Sequence, residues 1–266
     1  MSPYVLVARR PQNPLGWWIY LPVFLLAALL MAWMIAGAGA SLAQLIDGLP
    51  WIGDFLARML PPNFSYIGAN LIGPTLQTIQ IALLGTLLAV VLAIPLSFLA
   101  AHNLSPSPVV YHFSRQVLNV GRGINEIILA LIFVAAVGLG PFAGVLALTV
   151  HGAGMLGKFF AEAIEEVDRG PIEAMESAGC STSRIILFAI LPQVLPAWLG
   201  VALYRLEANI RVSTILGMVG AGGIGFELMT TMKLFEYENT AACVLVILAL
   251  VFAADLISAR LRKLVR

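Results

Sequence analysis

Long apolar runs separated by short polar or glycine- and proline-containing breaks dominate this chain. Runs at about residues 17–39, 75–101, 194–216 and 240–258 match the roughly 20 residues an α-helix needs to cross hydrocarbon. A further run, 124–151, is almost continuously apolar and is broken at Gly138-Leu139-Gly140-Pro141, giving two spans, about 124–139 and 142–160. Both are short, which fits a hairpin partly buried within a bundle. Pro95 lies inside the second run and is expected to kink it, which neighbouring helices make tolerable in a membrane. The first run is too long for a signal-peptide core and lacks a convincing cleavage site. Trp17, Trp18 and Tyr20 suit an interfacial aromatic belt. Residues 41–70, with Asp47, Asp54, Arg58 and Pro61-Pro62, read as an external loop carrying a short amphipathic helix. Residues 102–123 read as a polar link and 217–238 as an external glycine-rich segment.

Residues 173–192, EAMESAGCSTSRIILFAILP, break the pattern. Charge, small residues and helical periodicity mix there between two very apolar runs. Glu173, Ala174 and Gly179 lie in a helix-like run, Gly179 then offers a turn, and a second amphipathic run ends at Leu191-Pro192. This is a helix–turn–helix laid along a membrane surface, with Pro192 placed to start the next helix or break this one. The spacing resembles the EAA loop of permease subunits in ABC importers. In that family a Glu-Ala-Ala triplet precedes a Gly and a later Leu-Pro, and the loop docks into a separate ATPase. Here Met175 replaces the second Ala, and Ala189 precedes Ile190 where the family has its Ile one position earlier.

Composition excludes a soluble globular chain: 60% of residues are hydrophobic and 11% charged, and mean hydropathy is +0.94. The net charge of +1 is uninformative, but its distribution orients the spans. Arg9/Arg10, Arg115/Arg122, Lys158/Arg169/Arg184 and a tail containing Arg260, Arg262, Lys263 and Arg266 fall on one side if there are six crossings. The positive-inside rule then places both termini and the 173–192 loop in the cytoplasm. Cys180 and Cys243 have neither metal spacing nor disulfide logic and read as structural.

Three chemical motifs fail on context. Gly152-Ala-Gly-Met-Leu-Gly157-Lys158 begins like a phosphate-binding loop, but Phe159 stands where Ser or Thr must hold Mg²⁺, and no soluble strand precedes it. Small residues there instead allow close helix approach. Gly220-Ala-Gly222-Gly223-Ile-Gly225 fits a dinucleotide fingerprint without any βαβ unit around it. At a membrane boundary it reads as an irregular turn buried in protein or lining a cavity. No catalytic constellation is present, and no metal site. His151 has three readings: proton relay, substrate contact, or hydrogen-bonded bundle histidine.

The fifth run carries Arg205, Glu207 and Arg211 at lipid depth, each costing several kcal/mol if exposed to hydrocarbon. At helical pitch Arg205, Asn209 and Ser213 share one face, while Glu207, Arg211 and Thr214 share another. Glu207 and Arg211 are i,i+4 and suited to pairing. Arg205 then needs a partner, for which Glu126 is one candidate. Either the cluster is an ion-pair network that fixes packing, or it lines a translocation route. The second account is favoured, because so polar a network is a costly way to pack helices.

Residues 204–211, YRLEANIR, and 213–225, STILGMVGAGGIG, resemble the permease subunit of phosphonate/phosphite importers. So do 137–147, VGLGPFAGVLA, and 154–162, GMLGKFFAE. The likeness covers roughly residues 70–260. It implies an all-α polytopic bundle of the type I ABC importer permease fold, with about six transmembrane helices in a bacterial inner membrane. Residues 1–70 would hold the first span and external loop. Residues 71–260 would form the permease core, with its coupling loop at about 161–193, and 261–266 a basic tail. The implied function is transmembrane passage of phosphonate, phosphite or a related phosphorus oxyanion, driven by a separate ATPase. The implied partners are a second permease copy, two ATP-binding cassette subunits that carry ATP and Mg²⁺, and an extracytoplasmic binding protein. Membrane lipid surrounds the chain, and nucleic acid is not expected. Glu173, Ala174 and Gly179 would couple to the ATPase. Arg205, Glu207, Asn209, Arg211, Glu126, His151, Gly222 and Gly223 would line or gate the route. The competing readings are an ion-coupled carrier or anion channel using Arg205, Glu207 and His151, and a membrane-embedded enzyme.

Overall fold

The computed structural model describes residues 17–39 and 41–265, all helix, turn or loop. Arg9, Arg10 and Arg266 lie outside the described residues, as do the side chains of Trp17 and Trp18. The helices are α1 (Trp17–Gly37), α2 (Leu42–Arg58), α3 (Phe64–Ala100), α4 (Pro108–Gly123), α5 (Glu126–Val137) and α6 (Pro141–Glu165). They continue with α7 (Arg169–Ser177), α8 (Thr182–Ala221), α9 (Ile224–Lys233) and α10 (Tyr237–Val265). Of these, α1, α3, α6, α8 and α10 are long and apolar enough to span a membrane. A sixth crossing results if α4 and α5, bent 87° to each other, count as one broken span. Helix is the form apolar segments must take in lipid, because every backbone group has to be satisfied within the segment.

The chain divides into two compact units, residues up to Leu56 and residues from Ala57 onward. The first contains α1, whose side chains from Tyr20 to Ile35 are exposed, and most of amphipathic α2. The second holds the site.

Several boundaries differ from the sequence expectation. The second run begins at Phe64 rather than near residue 75, because Asn63 caps it by accepting from the Tyr66 N–H. It runs through Pro95 without interruption. The supposed link at 102–123 is largely helix α4, started by Ser107 accepting from the Val110 N–H and by Pro108 in the first turn. The hairpin is unequal. At 12 residues α5 reaches only about 18 Å, too short to cross alone, whereas α6 has 25 residues. The segment 217–238 is not a glycine-rich loop throughout, since it contains helix α9.

Close packing on α6 explains its glycines. A Cβ at Gly154 would lie 2.5 Å from the Arg122 N, and one at Gly157 would lie 2.5 Å from Leu118 Cδ2. A Cβ at Gly152 would lie 2.8 Å from Ala89 Cβ. The apparent phosphate-loop motif is therefore a seam where α6 meets α4 and α3. A core of Leu156, Phe160, Ile164, Val194 and Trp198 fills the neighbouring space. Phe160 and Trp198 stack at 4.6 Å, and the Trp198 indole donates to the Phe160 carbonyl at 3.3 Å.

The 217–225 turn is tighter still. A Cβ at Gly225 would stand 1.7 Å from the Thr214 carbonyl oxygen, and Gly217 already packs on the Gly225 Cα. Gly225→Ala is expected to destabilise the bundle by about 3 kcal/mol, the upper end for overpacking, since the obstacle is backbone. The midpoint of heat-induced aggregation in detergent should fall well below that of Gly68→Ala, whose Cβ meets open space. Equal midpoints would contradict this geometry.

Candidate translocation and coupling site

The candidate side chains fall in two regions. In the first, α7 forms the amphipathic helix expected around Glu173. Asp168 caps it through the Gly170 N–H at 3.0 Å. It ends in a Schellman turn: the Gly179 N–H donates to the Glu176 carbonyl, the Cys180 N–H to the Met175 carbonyl, and Gly179 sits at φ +72°. Glu173, Ala174 and Gly179 are all exposed. Ile172 and Met175 turn inward against the core, which accounts for an apolar Met in the second Ala position. The second amphipathic run does not end before the next span. It passes through a π-helical turn, Ile186–Ile190, directly into the apolar part of α8, with Pro192 in the first turn after it.

Two polar clamps fasten this region to the spans. The Asp168 N–H donates to Gln193 Oε1 at 2.9 Å, and Gln193 in turn donates to the Ala189 carbonyl. These bonds tie the N-terminal end of α7 to α8. Where the C-terminal ends of α3 and α6 meet the middle of α4, Arg115 Nη2 lies 2.9 Å from both Glu165 carboxylate oxygens. The Arg115 Nε donates to the Ala100 carbonyl, and the His102 N–H reaches Glu165 at 2.7 Å. A cleft of about 300 Å³ lies beside α7, lined by Asn103, Glu165, Arg169, Glu173 and Glu176 among others.

In the second region the two faces expected on α8 meet different neighbours. Asn209 is fully buried and donates to Thr86 Oγ1 at 2.8 Å, while Ser213 donates to the Thr78 carbonyl at 3.3 Å, so this face binds α3. Arg205, on the same face one turn earlier, is 5% exposed and turns toward α6. Its Nη1 lies 3.6 Å from Met155 Sδ, while Nε and Nη2 have no hydrogen-bond partner. The opposite face meets α10. Glu207 pairs with Arg211 at 3.2 Å as anticipated, and also with Arg262 at 2.8 Å; Arg211 approaches Asp255 at 3.9 Å.

Glu126 does not serve as Arg205's hydrogen-bonding partner. Its Oε2 instead lies 3.5 Å from His151 Nε2, and His151 Nδ1 donates to the Ile124 carbonyl at 2.9 Å. His151 is thus a hydrogen-bonded bundle histidine, while one edge of it remains in an open cleft. Gly222 and Gly223, at φ +75° and +76°, pass against Pro141, Gln77 and Thr78. The Gly223 N–H donates to Gln77 Oε1 and the Ile224 N–H to Thr78 Oγ1. The Gly140 N–H donates to the Gly220 carbonyl, joining this turn to the α5–α6 hairpin. The fingerprint-like glycines therefore form an irregular turn packed in protein.

Sequence reading missed Arg262 and Asp255 as members of the α8 network. Arg262 was assigned to the basic tail, and nothing in its spacing relative to Glu207 shows that an antiparallel helix brings them together. Thr78, Thr86 and Gln77 were equally unmarked. Among the described residues, no group of three or more His, Cys, Asp or Glu side chains is arranged to hold a metal.

A bundle of long apolar helices, an exposed amphipathic helix tied to one span, and buried charges along that span define a multi-pass membrane transport subunit. The family described as binding-protein-dependent transport system inner membrane component matches residues 93–266, and this chain belongs to that family. It is similar to the phosphite transport system permease protein PtxC of Stutzerimonas stutzeri, 45% identical over 252 residues, covering 94% of this chain and 90% of that protein. It is also similar to the phosphate-import permease protein PhnE of Mycolicibacterium smegmatis, 42% identical over 214 residues, covering 80% of this chain and 40% of that protein. Among solved structures it resembles the MetNI methionine ABC transporter in inward-facing conformation. The TM-score there is 0.63 at 23% identity, over 74% of this chain and 96% of the other. The fold is that of the type I ABC importer permeases, and the chain is a multi-pass component of the bacterial inner membrane.

Proposed function

We propose that this chain carries a phosphorus oxyanion, such as phosphite, a phosphonate or phosphate, across the inner membrane as the permease subunit of an ATP-driven importer. The observation that carries the substrate class is the 45% identity to a phosphite permease along 94% of the chain. Buried Arg205, with Nε and Nη2 lacking hydrogen-bond partners, supports it, because a fixed cation in a low-dielectric bundle favours passage of an anion. Both termini and α7 face the cytoplasm, a placement that Arg169, Arg184 and the basic tail support. Two copies of the chain form the pathway. Two ATP-binding cassette subunits hold ATP and Mg²⁺, and an extracytoplasmic binding protein delivers the anion. The chain itself catalyses no reaction and binds no cofactor.

Exposed Glu173 and Ala174 contact the ATPase, and Gly179 permits the turn behind them. Closure of the ATPase pair moves α7, the Asp168–Gln193 clamp passes the motion to α8, and α8 carries the charged network with it. Tight binding within the pathway would slow release, so selection of the solute falls mainly to the binding protein.

The test is uptake into proteoliposomes containing the chain, its ATPase and its binding protein. Phosphite, methylphosphonate and inorganic phosphate are offered in separate runs. Accumulation of at least one of them that needs ATP and all three components is expected. Uptake that proceeds without the ATPase, or no accumulation of any of the three, would overturn the reading.

A further inference from the structure

The helix pair α4–α5 breaks at Ile124–Asn125 with a bend of 87°, the geometry of a broken span or a re-entrant loop. The position of the break is fixed by packing. Leu118 lies against Gly157 and the Arg122 backbone against Gly154, so α4 runs alongside the middle of α6 and ends there. Non-helical backbone at such depth persists only where protein buries it or a polar cavity solvates it. At Gly123, which is exposed, the second condition holds. An open cleft of about 700 Å³ lies at the break, lined by Asn119, Arg122, Gly123, His151, Met155 and Lys158 among others.

The cleft is strongly cationic. His151, Met155 and Lys158 are spaced i, i+4 and i+7 on one face of α6, and Asn119 and Arg122 are i, i+3 on α4. Arg122 makes no hydrogen bond or ion pair among the described residues. Lys158 has one loose partner, Glu162 at 3.8 Å, and Glu162 is itself 41% exposed. The other carboxylate nearby, Glu126, faces His151. Directly behind Met155 lies the Arg205 guanidinium, with two of its nitrogens buried and unpartnered. Three permanent cations therefore converge on the cleft against two carboxylates. The flexible Met155 thioether, which lines the cleft, contacts the Arg205 guanidinium at 3.6 Å.

Resting on the transport reading above, we propose that this cleft is a binding subsite for a tetrahedral phosphorus oxyanion within the permease itself. Arg122 and Lys158 engage the anion and Asn119 donates a further hydrogen bond. Arg205 supplies positive potential from behind Met155. Guanidinium and ammonium groups are the natural hydrogen-bonding partners of such oxygens. The same chemistry is offered by a free oxyanion in transit and by a phospholipid headgroup, and a free oxyanion is the occupant expected in a transport pathway.

The test uses the full-length chain with its ATPase in nanodiscs. Equilibrium dialysis of inorganic phosphite is run in discs of phosphatidylcholine and in discs containing phosphatidylglycerol. Saturable binding is expected in phosphatidylcholine discs and is expected to weaken at least about tenfold in Arg122→Gln/Lys158→Gln, the scale of losing two charge-assisted contacts. Arg122→Lys/Lys158→Arg, which keeps both charges, retains binding and controls for folding; Arg260→Gln leaves it unchanged. If phosphatidylglycerol abolishes phosphite binding and co-purifies in an Arg122- and Lys158-dependent manner, the oxyanion bound is a headgroup and the transit assignment falls. Identical behaviour of the wild type and the charge-removed variant in both discs overturns the site altogether. Normal phosphite uptake together with that identity removes the site alone. Charge-dependent phosphite binding with no uptake removes the transport reading alone.

Discussion

Glu207→Ala is expected to destabilise the bundle by about 1.5–3 kcal/mol, the scale of losing charge-assisted hydrogen bonds to a buried carboxylate whose two arginine partners, 46% and 34% exposed, stay partly solvated. Glu207 is 8% exposed and answers two arginines from two helices, Arg211 at 3.2 Å and Arg262 at 2.8 Å. Without it, the two guanidinium groups share their place with only Asp255, 3.9 Å from Arg211. Glu207→Gln should fall between wild type and Ala, because the amide oxygen still accepts a hydrogen bond but no longer neutralises charge. Arg262→Ala should cost less, since that side chain is 34% exposed and the Glu207–Arg211 pair survives. Combining Glu207→Ala with Arg262→Ala should recover part of the loss, which a double-mutant cycle reads directly. Melting temperatures of the purified chain in one detergent suffice. A Glu207→Ala midpoint within about 2 °C of wild type, under 1 kcal/mol for a chain of this size, would mean that solvent already neutralises the network.

Glu173→Ala should abolish uptake while leaving the permease folded. Glu173 is exposed and the α7 caps lie elsewhere, so its removal disturbs neither the core nor the Schellman turn. If it is an anchor in the ATPase groove, affinity for the ATPase drops by about 30-fold, or about 2 kcal/mol, the threshold for an interface hot spot. The readouts are co-purification of the ATPase with the permease and ATP-driven uptake in the same proteoliposomes. Both should fall together, with unchanged thermal stability of the permease alone. Retained association with lost uptake would shift Glu173 from docking to transmission of motion. Retained association and uptake would remove α7 as the lever.

Legibility differed between α7 and the α8 network for a physical reason. Helix α7 is a local structure: helix periodicity, a glycine at the Schellman position and a capping aspartate lie within about 12 consecutive residues and obey short-range rules. It was therefore readable from the chain, down to the exposed Glu173 and Ala174. The Glu207–Arg211 pair was readable for the same reason, being one helical turn apart. Arg262, by contrast, joins Glu207 only because α10 lies antiparallel to α8, and no local rule specifies which residues two such helices bring together. The same holds for His151 with Glu126, and for Asn209 with Thr86. The 217–225 turn lies between these cases. Its glycines announced an irregular backbone, but which atoms exclude a Cβ depends on α3 and the α5–α6 hairpin.

The sequence alone determined that the chain lives in a membrane, how many apolar spans it offers, and that one amphipathic segment interrupts them. Those properties follow from hydrocarbon thickness and from the need of every backbone group for a partner, which act on each segment separately. The tertiary structure made 108–137 two helices bent 87° to each other and not a link plus a crossing. It also left Arg205 without a hydrogen-bonding carboxylate, and it gathered Arg122, His151 and Lys158 at one cleft. Helix packing sets these outcomes, through close contacts at Gly152, Gly154 and Gly157 that bring distant stretches of chain together. In lipid, periodicity tells where a helix runs, and small residues at the seams tell how near its neighbours come. Only the assembled bundle fixes which charges end up facing one another.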